Sequence, residues 1–200
     1  MSHARKVVAV GVLAALVWAV APVAEAQAPI RIGATVARTG AFAAFGQNTF
    51  RGYQLCVKHA NDKGGMLARK LELLVYDDRS DPATAAQLYE KLITQDKVDL
   101  VLGPYGSSVT EAVVDVSERH RMPMVAPGAA ATSIFKKGRN FVFMVIPPGE
   151  ASFEGLIDLA AKKGLKTVAI LNQDSAFPKA AAKGAVELAR KKGLQLVLTE

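Results

Sequence analysis

Three short stretches concentrate the side chains able to hold a small solute. The first is the run Gly103, Pro104, Tyr105, Gly106, Ser107 and Ser108, followed at once by helix-forming residues. Glycine lets the backbone approach a ligand closely, and the first-turn amides of a helix have no partner within it. Two hydroxyls and the positive end of the helix dipole add to those amides, which makes a place for an anion such as a carboxylate. Taken alone, Ser107 reads equally well as a plain N-cap. The second stretch, Pro127, Gly128, Ala129, Ala130, Ala131, Thr132 and Ser133, is built almost wholly of small residues. It leaves room and exposes carbonyls able to accept from an ammonium group; the alternative is a loop whose Thr132 or Ser133 caps a short helical turn. The third, Gly40 to Gly46, sets Phe42 and Phe45 among small residues. An aromatic ring there can wall an apolar pocket, although core packing is the commoner fate.

Catalytic chemistry finds no comparable footing. His59 and His120 fall in helical stretches without a partnered nucleophile, and G-x-S-x-G, H-E-x-x-H and C-x-x-C are absent from the sequence. The phosphate loop and the dinucleotide glycine motif are absent too, so no cofactor is expected. Asp77 and Asp78 suggest metal or phosphoryl chemistry, but a strand-end turn before a capped helix accounts for them. No acid, base and nucleophile set can be assembled, and an enzyme is not expected. Cys56 is the single cysteine, which rules out an intrachain disulfide within these residues. Its setting between Leu55 and Val57 predicts a small buried hydrophobe.

The elements that must position these loops alternate short apolar runs with helical patterns, the mark of βαβ units and a parallel sheet. Strands are expected at Ile30 to Val36, Leu71 to Tyr76, Val98 to Leu102, Met122 to Ala126 and Phe141 to Ile146. Helices are expected from about Asn48 to Lys63, from Asp81 and Pro82 onward, and from Ser107 to about His120. Ala85, Leu88 and Leu92 supply one face of the second helix. Pro147, Pro148 and Gly149 break both helix and strand, and are the best crossing between two lobes. Beyond them come a helix over Glu150 to Lys163, a strand over Thr167 to Leu171, a helix from about Pro178 to Lys192 and a strand at Gln195 to Leu198. The stretches Leu159 to Leu165 and Leu188 to Leu194 share a pattern in which lysines end a helix, glycine takes a left-handed turn and leucine covers the end.

The first 26 residues read as an address. Arg5 and Lys6 precede the apolar run Val7 to Val20, and Ala24, Glu25 and Ala26 form a small-x-small cleavage site. The run is shorter than the roughly 20 residues a bilayer-spanning helix needs. An exported, periplasmic protein cleaved after about Ala26 is therefore expected. The formal charge of +7 is scattered along the chain. Without a clustered basic face and stacking aromatics, nucleic-acid binding is not expected.

With the three loops in hand, the chain resembles the type I periplasmic binding proteins, in the branch of the branched-chain amino-acid (leucine/isoleucine/valine) binding proteins of ABC importers. The motifs are T-G-x-x-A-x-x-G through Gly46, A-N-D-K-G-G at Ala60 to Gly65, Y-D-D-x-x-D-P at Tyr76 to Pro82, G-P-Y-G-S-S and the A-P-G-A loop at Ala126 to Ala129. The resemblance implies an α/β fold of doubly wound parallel sheets in two lobes: residues 27–146 forming most of the first, and residues 147–200 beginning a second that is incomplete in this chain. It implies that Ser107 holds a ligand carboxylate by hydroxyl and backbone N–H, with Tyr105, Gly106 and Ser108 beside it. Ala129, Ala130 and Thr132 belong to the loop receiving an ammonium group and part of the carboxylate. Phe45 and Phe177 cover the ligand from opposite lobes. Three positions depart from the family pattern. Ala130 stands where threonine or serine is usual, leaving Thr132 as the nearest hydroxyl; Phe177 stands where tyrosine is common; Ser80 and Gly106 replace a pair of cysteines. The implied function is delivery of a small amino acid, or related carboxylate or amide, to a membrane permease and ATPase. The alternative is a ligand-sensing receptor domain of the same fold.

Overall fold

A computed structural model describes residues 27–136 and 138–200; the expected leader lies outside them. Strands β1 (Ile30–Val36), β2 (Leu71–Asp77), β3 (Leu100–Leu102), β4 (Met124–Ala126) and β5 (Val142–Met144) form a parallel sheet in the order β2-β1-β3-β4-β5. Strands β6 (Thr167–Ile170) and β7 (Gln195–Thr199) form a second, two-stranded parallel sheet. The helices between them are α1 (Ala43–Asp62), α2 (Pro82–Thr94), α3 (Ser107–Arg119), α4 (Glu154–Lys162) and α5 (Ala176–Lys191). The expected α/β class with parallel sheets is what the chain adopts. No helix among the described residues is long and apolar enough to cross a membrane.

Strand β1 is buried along nearly its whole length, as a central parallel strand covered on both faces must be. Ile30, Ile32, Ala34 and Val36 pack toward α1, while Gly33 faces Leu92 of α2 and Val98. Asp81 starts α2, its carboxylate accepting from the Thr84 amide at 2.7 Å, with Pro82 in the first turn. The buried line of α2 runs through Ala85, Tyr89 and Leu92, with Tyr89 taking the place expected of Leu88.

Several expectations change. Helix α1 begins at Ala43, not Asn48, so Phe45 and Gly46 lie in its first turn. Gly46 marks a close approach: a Cβ there would stand 2.0 Å from the Ala37 carbonyl oxygen. Cys56 is exposed. The inward line of α1 is Gly46, Phe50, Tyr53, Val57 and Ala60, and three consecutive apolar residues cannot share one face of a helix with 3.6 residues per turn. Strands β3, β4 and β5 are each three residues long and shorter than expected. The expected helix over Glu150 to Lys163 divides into a 3-10 turn, Gly149–Ala151, and α4. Gly164 and Gly193 both adopt the left-handed turn, but Leu194 is buried whereas Leu165 is exposed.

The crossing after β5 is fastened on both sides. The Gly149 amide donates to the Ala130 carbonyl at 2.7 Å, and the Thr132 hydroxyl to Glu150 Oε1 at 2.5 Å. Helix α5 seats on the same turn through Gly184, where a Cβ would lie 1.8 Å from the Glu150 carbonyl oxygen.

Candidate functional site

The strand order turns back between β1 and β3. Connections leaving those strands diverge to opposite faces, so a crevice opens beyond their carboxyl ends. Two aspartates hold the loop after β1. Asp77 accepts from the amides of Arg38 (2.9 Å) and Arg79 (2.9 Å) and from the Thr39 hydroxyl (2.9 Å). Asp78 is buried and accepts from the Thr35 hydroxyl at 2.7 Å and the Ser80 amide at 2.9 Å. Burial pushes the Asp78 carboxyl above its ordinary range, opposed by those two hydrogen bonds. These aspartates are structural, as the strand-end turn suggested. The Ser80 hydroxyl completes the loop, accepting from the Phe42 amide and donating to the Thr39 carbonyl.

The loop after β3 is held more firmly. The buried Tyr53 hydroxyl, from α1, donates to the Gly103 carbonyl at 2.6 Å, and the Tyr89 hydroxyl, from α2, donates to the Leu102 carbonyl. Burial raises both phenols above their ordinary pKa, so they remain donors. The Gly106 amide reaches the Gly128 carbonyl at 2.9 Å, and Gly106, at φ 92°, occupies the N-cap of α3. That backbone angle suits glycine alone without strain.

Ser107 is thus the first helical residue rather than the cap. Its side chain is 3% exposed, and its Oγ accepts from the amides of Ala130 (3.1 Å) and Ala131 (3.2 Å). The hydroxyl ties the β4 loop to the start of α3. The amide of Ala130 and its carbonyl, which accepts from Gly149, are therefore already committed within the protein.

A cavity of about 390 Å³ lies here. Of the sequence-predicted site residues, it brings together Tyr105, Gly106, Ser107, Ser108, Ala130 and Phe177. Three others are not in its lining. Ala129 is fully buried, Thr132 is turned to Glu150, and Phe45 stands behind Tyr105, their rings stacked at 5.0 Å and 3°. Of the two aromatics in the Gly40 to Gly46 stretch, Phe42 rather than Phe45 lines it, and sequence reasoning missed Gln173 and Ser175, which line it too. Gln173 and Ser175 lie beyond the carboxyl end of β6, and the same strand-end rule applied to the second sheet would have found them. The N-terminus of α5 meets that of α3 here: the Ser108 hydroxyl accepts from the Ala176 amide at 3.3 Å. None of the lining side chains is charged, so two positive helix ends face an uncharged chamber suited to an anionic group. Another hollow, of about 380 Å³, runs along β6, α4 and α5 and is lined mainly by Leu156, Ile157, Val168, Ile170 and alanines. It offers little polar chemistry to orient a solute. Among the described residues no cluster of metal-ligating side chains occurs.

Comparison with known proteins agrees with this architecture. Residues 29–200 match the family model described as periplasmic binding protein. The chain is 33% identical to the Leu/Ile/Val-binding protein BraC3 of Rhizobium johnstonii over 174 residues, which cover 84% of this chain and 46% of that one. The crystal structure of the branched-chain amino acid transporter substrate-binding protein LivJ from Streptococcus pneumoniae, bound to isoleucine, superimposes with a TM-score of 0.72 and 26% identity. That match covers 85% of this chain and 48% of the other. A solute-binding protein of an ABC transporter from R. palustris, in complex with 4-hydroxybenzoate, gives a TM-score of 0.76 at 25% identity, covering 85% and 46%. The chain spans less than half the length of each. Fold, loop order and sequence together place the chain in the periplasmic binding protein family, a family of non-enzymatic solute-binding proteins, on its type I branched-chain amino-acid branch.

Proposed function

We propose that this protein is the periplasmic solute-binding component of an ABC importer, and that it captures a small carboxylate-bearing solute of the amino-acid kind. In this reading residues 1–26 are a cleaved leader, residues 27–146 form the first lobe, and the second begins at residue 147. The solute's carboxylate sits on the first-turn amides of α3. The two lobes close on it by a hinge, and a membrane permease with its ATPase recognises the closed form. One observation carries the reading: the α3 and α5 N-termini converge on a cavity without charged walls. The relatives support the solute class, since BraC3 is named for leucine, isoleucine and valine and LivJ was crystallised with isoleucine. Isothermal titration calorimetry on the full-length mature protein, with a panel of amino acids and small carboxylates, tests it. Saturable binding of at least one carboxylate is expected; silence across the panel refutes the reading.

A further inference from the structure

We propose that the solute's carboxylate is joined to an aromatic ring, either directly or through the Cα–Cβ link of an aromatic amino acid, and that Tyr105 is the residue that selects the ring. The inference rests on the reading above, that this cavity holds a carboxylate, and adds what the remainder of the solute must be.

Three aromatic side chains from three separate segments line this cavity: Phe42, Tyr105 and, from the first turn of α5, Phe177. Their rings are set before any solute arrives. Phe45 stacks on Tyr105 in parallel, and Phe42 meets Tyr105 edge-on at 5.8 Å and 64°. A Cβ at Gly149 would lie 3.1 Å from the Phe177 ring, closer than ordinary contact, so the glycine lets that ring sit against the crossing. The Tyr105 hydroxyl has no hydrogen-bond partner among the described residues, and burial keeps it protonated, free to meet a polar substituent on a ring.

An aliphatic side chain buries apolar area against these walls as well as a ring does. A ring gains the offset or edge-on quadrupole contact in addition, which is worth roughly a 2- to 12-fold change in affinity per pair.

Benzoate, phenylalanine, leucine and isoleucine titrated into the full-length protein decide the matter. Benzoate or phenylalanine is expected to bind at least about 4-fold more tightly than either aliphatic amino acid, as two ring contacts of about 2-fold or more each imply; which of the two leads tells whether the ring bears the carboxylate directly. Tyr105→Leu is expected to weaken the aromatic ligand about 2- to 12-fold more than it weakens leucine, and Tyr105→Phe to retain the ring contact. Leucine or isoleucine binding more tightly than both aromatic acids overturns this inference and leaves the carboxylate reading standing. Failure of all four to bind, along with the wider panel, removes that reading itself.

Discussion

Replacing Ser107 with alanine tests the organisation of the whole site. The substitution removes one oxygen that accepts two backbone amides, those of Ala130 and Ala131, which are 9% and 0% exposed. Each amide left without a partner in a buried position costs about 1–3 kcal/mol. Some relaxation at the partly open Ala130 places the total near 2–4 kcal/mol, against a typical domain stability of about 5–15 kcal/mol. Urea denaturation of the full-length protein by linear extrapolation measures the loss, and hydrogen exchange at the two amides locates it. Protection at Ala130 and Ala131 should fall while that of β1 holds. Solute affinity should fall too, because the wall beside the α3 N-terminus is no longer pinned. A stability change under about 0.5 kcal/mol, a value typical of unconstrained surface sites, with exchange at both amides unaltered, would show that the hydroxyl does not bridge the loops.

Gly184→Ala places a methyl group against the Glu150 carbonyl and should destabilise the protein by about 1–3 kcal/mol as α5 is forced off the crossing; thermal unfolding measures it. Tyr53→Phe leaves the Gly103 carbonyl unpaired and should cost about 1–2 kcal/mol, read as a shifted denaturation midpoint at unchanged slope. Asp78 supplies a pH dependence with a definite sign. Burial, assisted by the charges of Asp77 and Asp81, raises its folded pKa above the ordinary 3.8, against the pull of Thr35 and Ser80. The folded state then holds a proton the unfolded state has released, so this residue's contribution to stability is greatest below about 3.8 and declines as pH rises through the folded value. Asp78→Asn should flatten that decline when stability is followed from pH 3 to pH 7 as the difference between variant and parent.

Much of this fold could be read from the chain because apolar runs and helix signals agreed. The capped start of α2 and the glycine-ended helices α4 and α5 were visible as local chemistry, since Asp81, Gly164 and Gly193 act on their own neighbours. The α3 loop and its cavity were legible for the same reason: glycines, hydroxyls and a helix start lie within six residues. What was hidden depends on partners far along the chain. Nothing near Gly46 announces that the Ala37 carbonyl lies against it, so the residue read as loop. Cys56 looked buried because adjacent apolar residues suggest a core, yet the inward line of α1 passes through Tyr53 and Val57, three positions before it and one after. The second bond of Ser107, to a loop 24 residues later, required the tertiary structure. So did the pairing of Thr132 with Glu150, which withdraws a hydroxyl that the sequence offered to the solute.

The two tyrosines at the end of β3 have a kinetic consequence. They reach consecutive carbonyls of one strand from helices on opposite faces of the sheet, like stays on either side of a mast. A segment held this way has already lost its torsional freedom when the chain folds. A solute arriving at it meets a finished surface, and the ordering cost that flexible loops add to association is absent on this side of the cleft. Encounter with this wall is then governed by diffusion and orientation, and whatever slow step accompanies capture belongs to the opposing side.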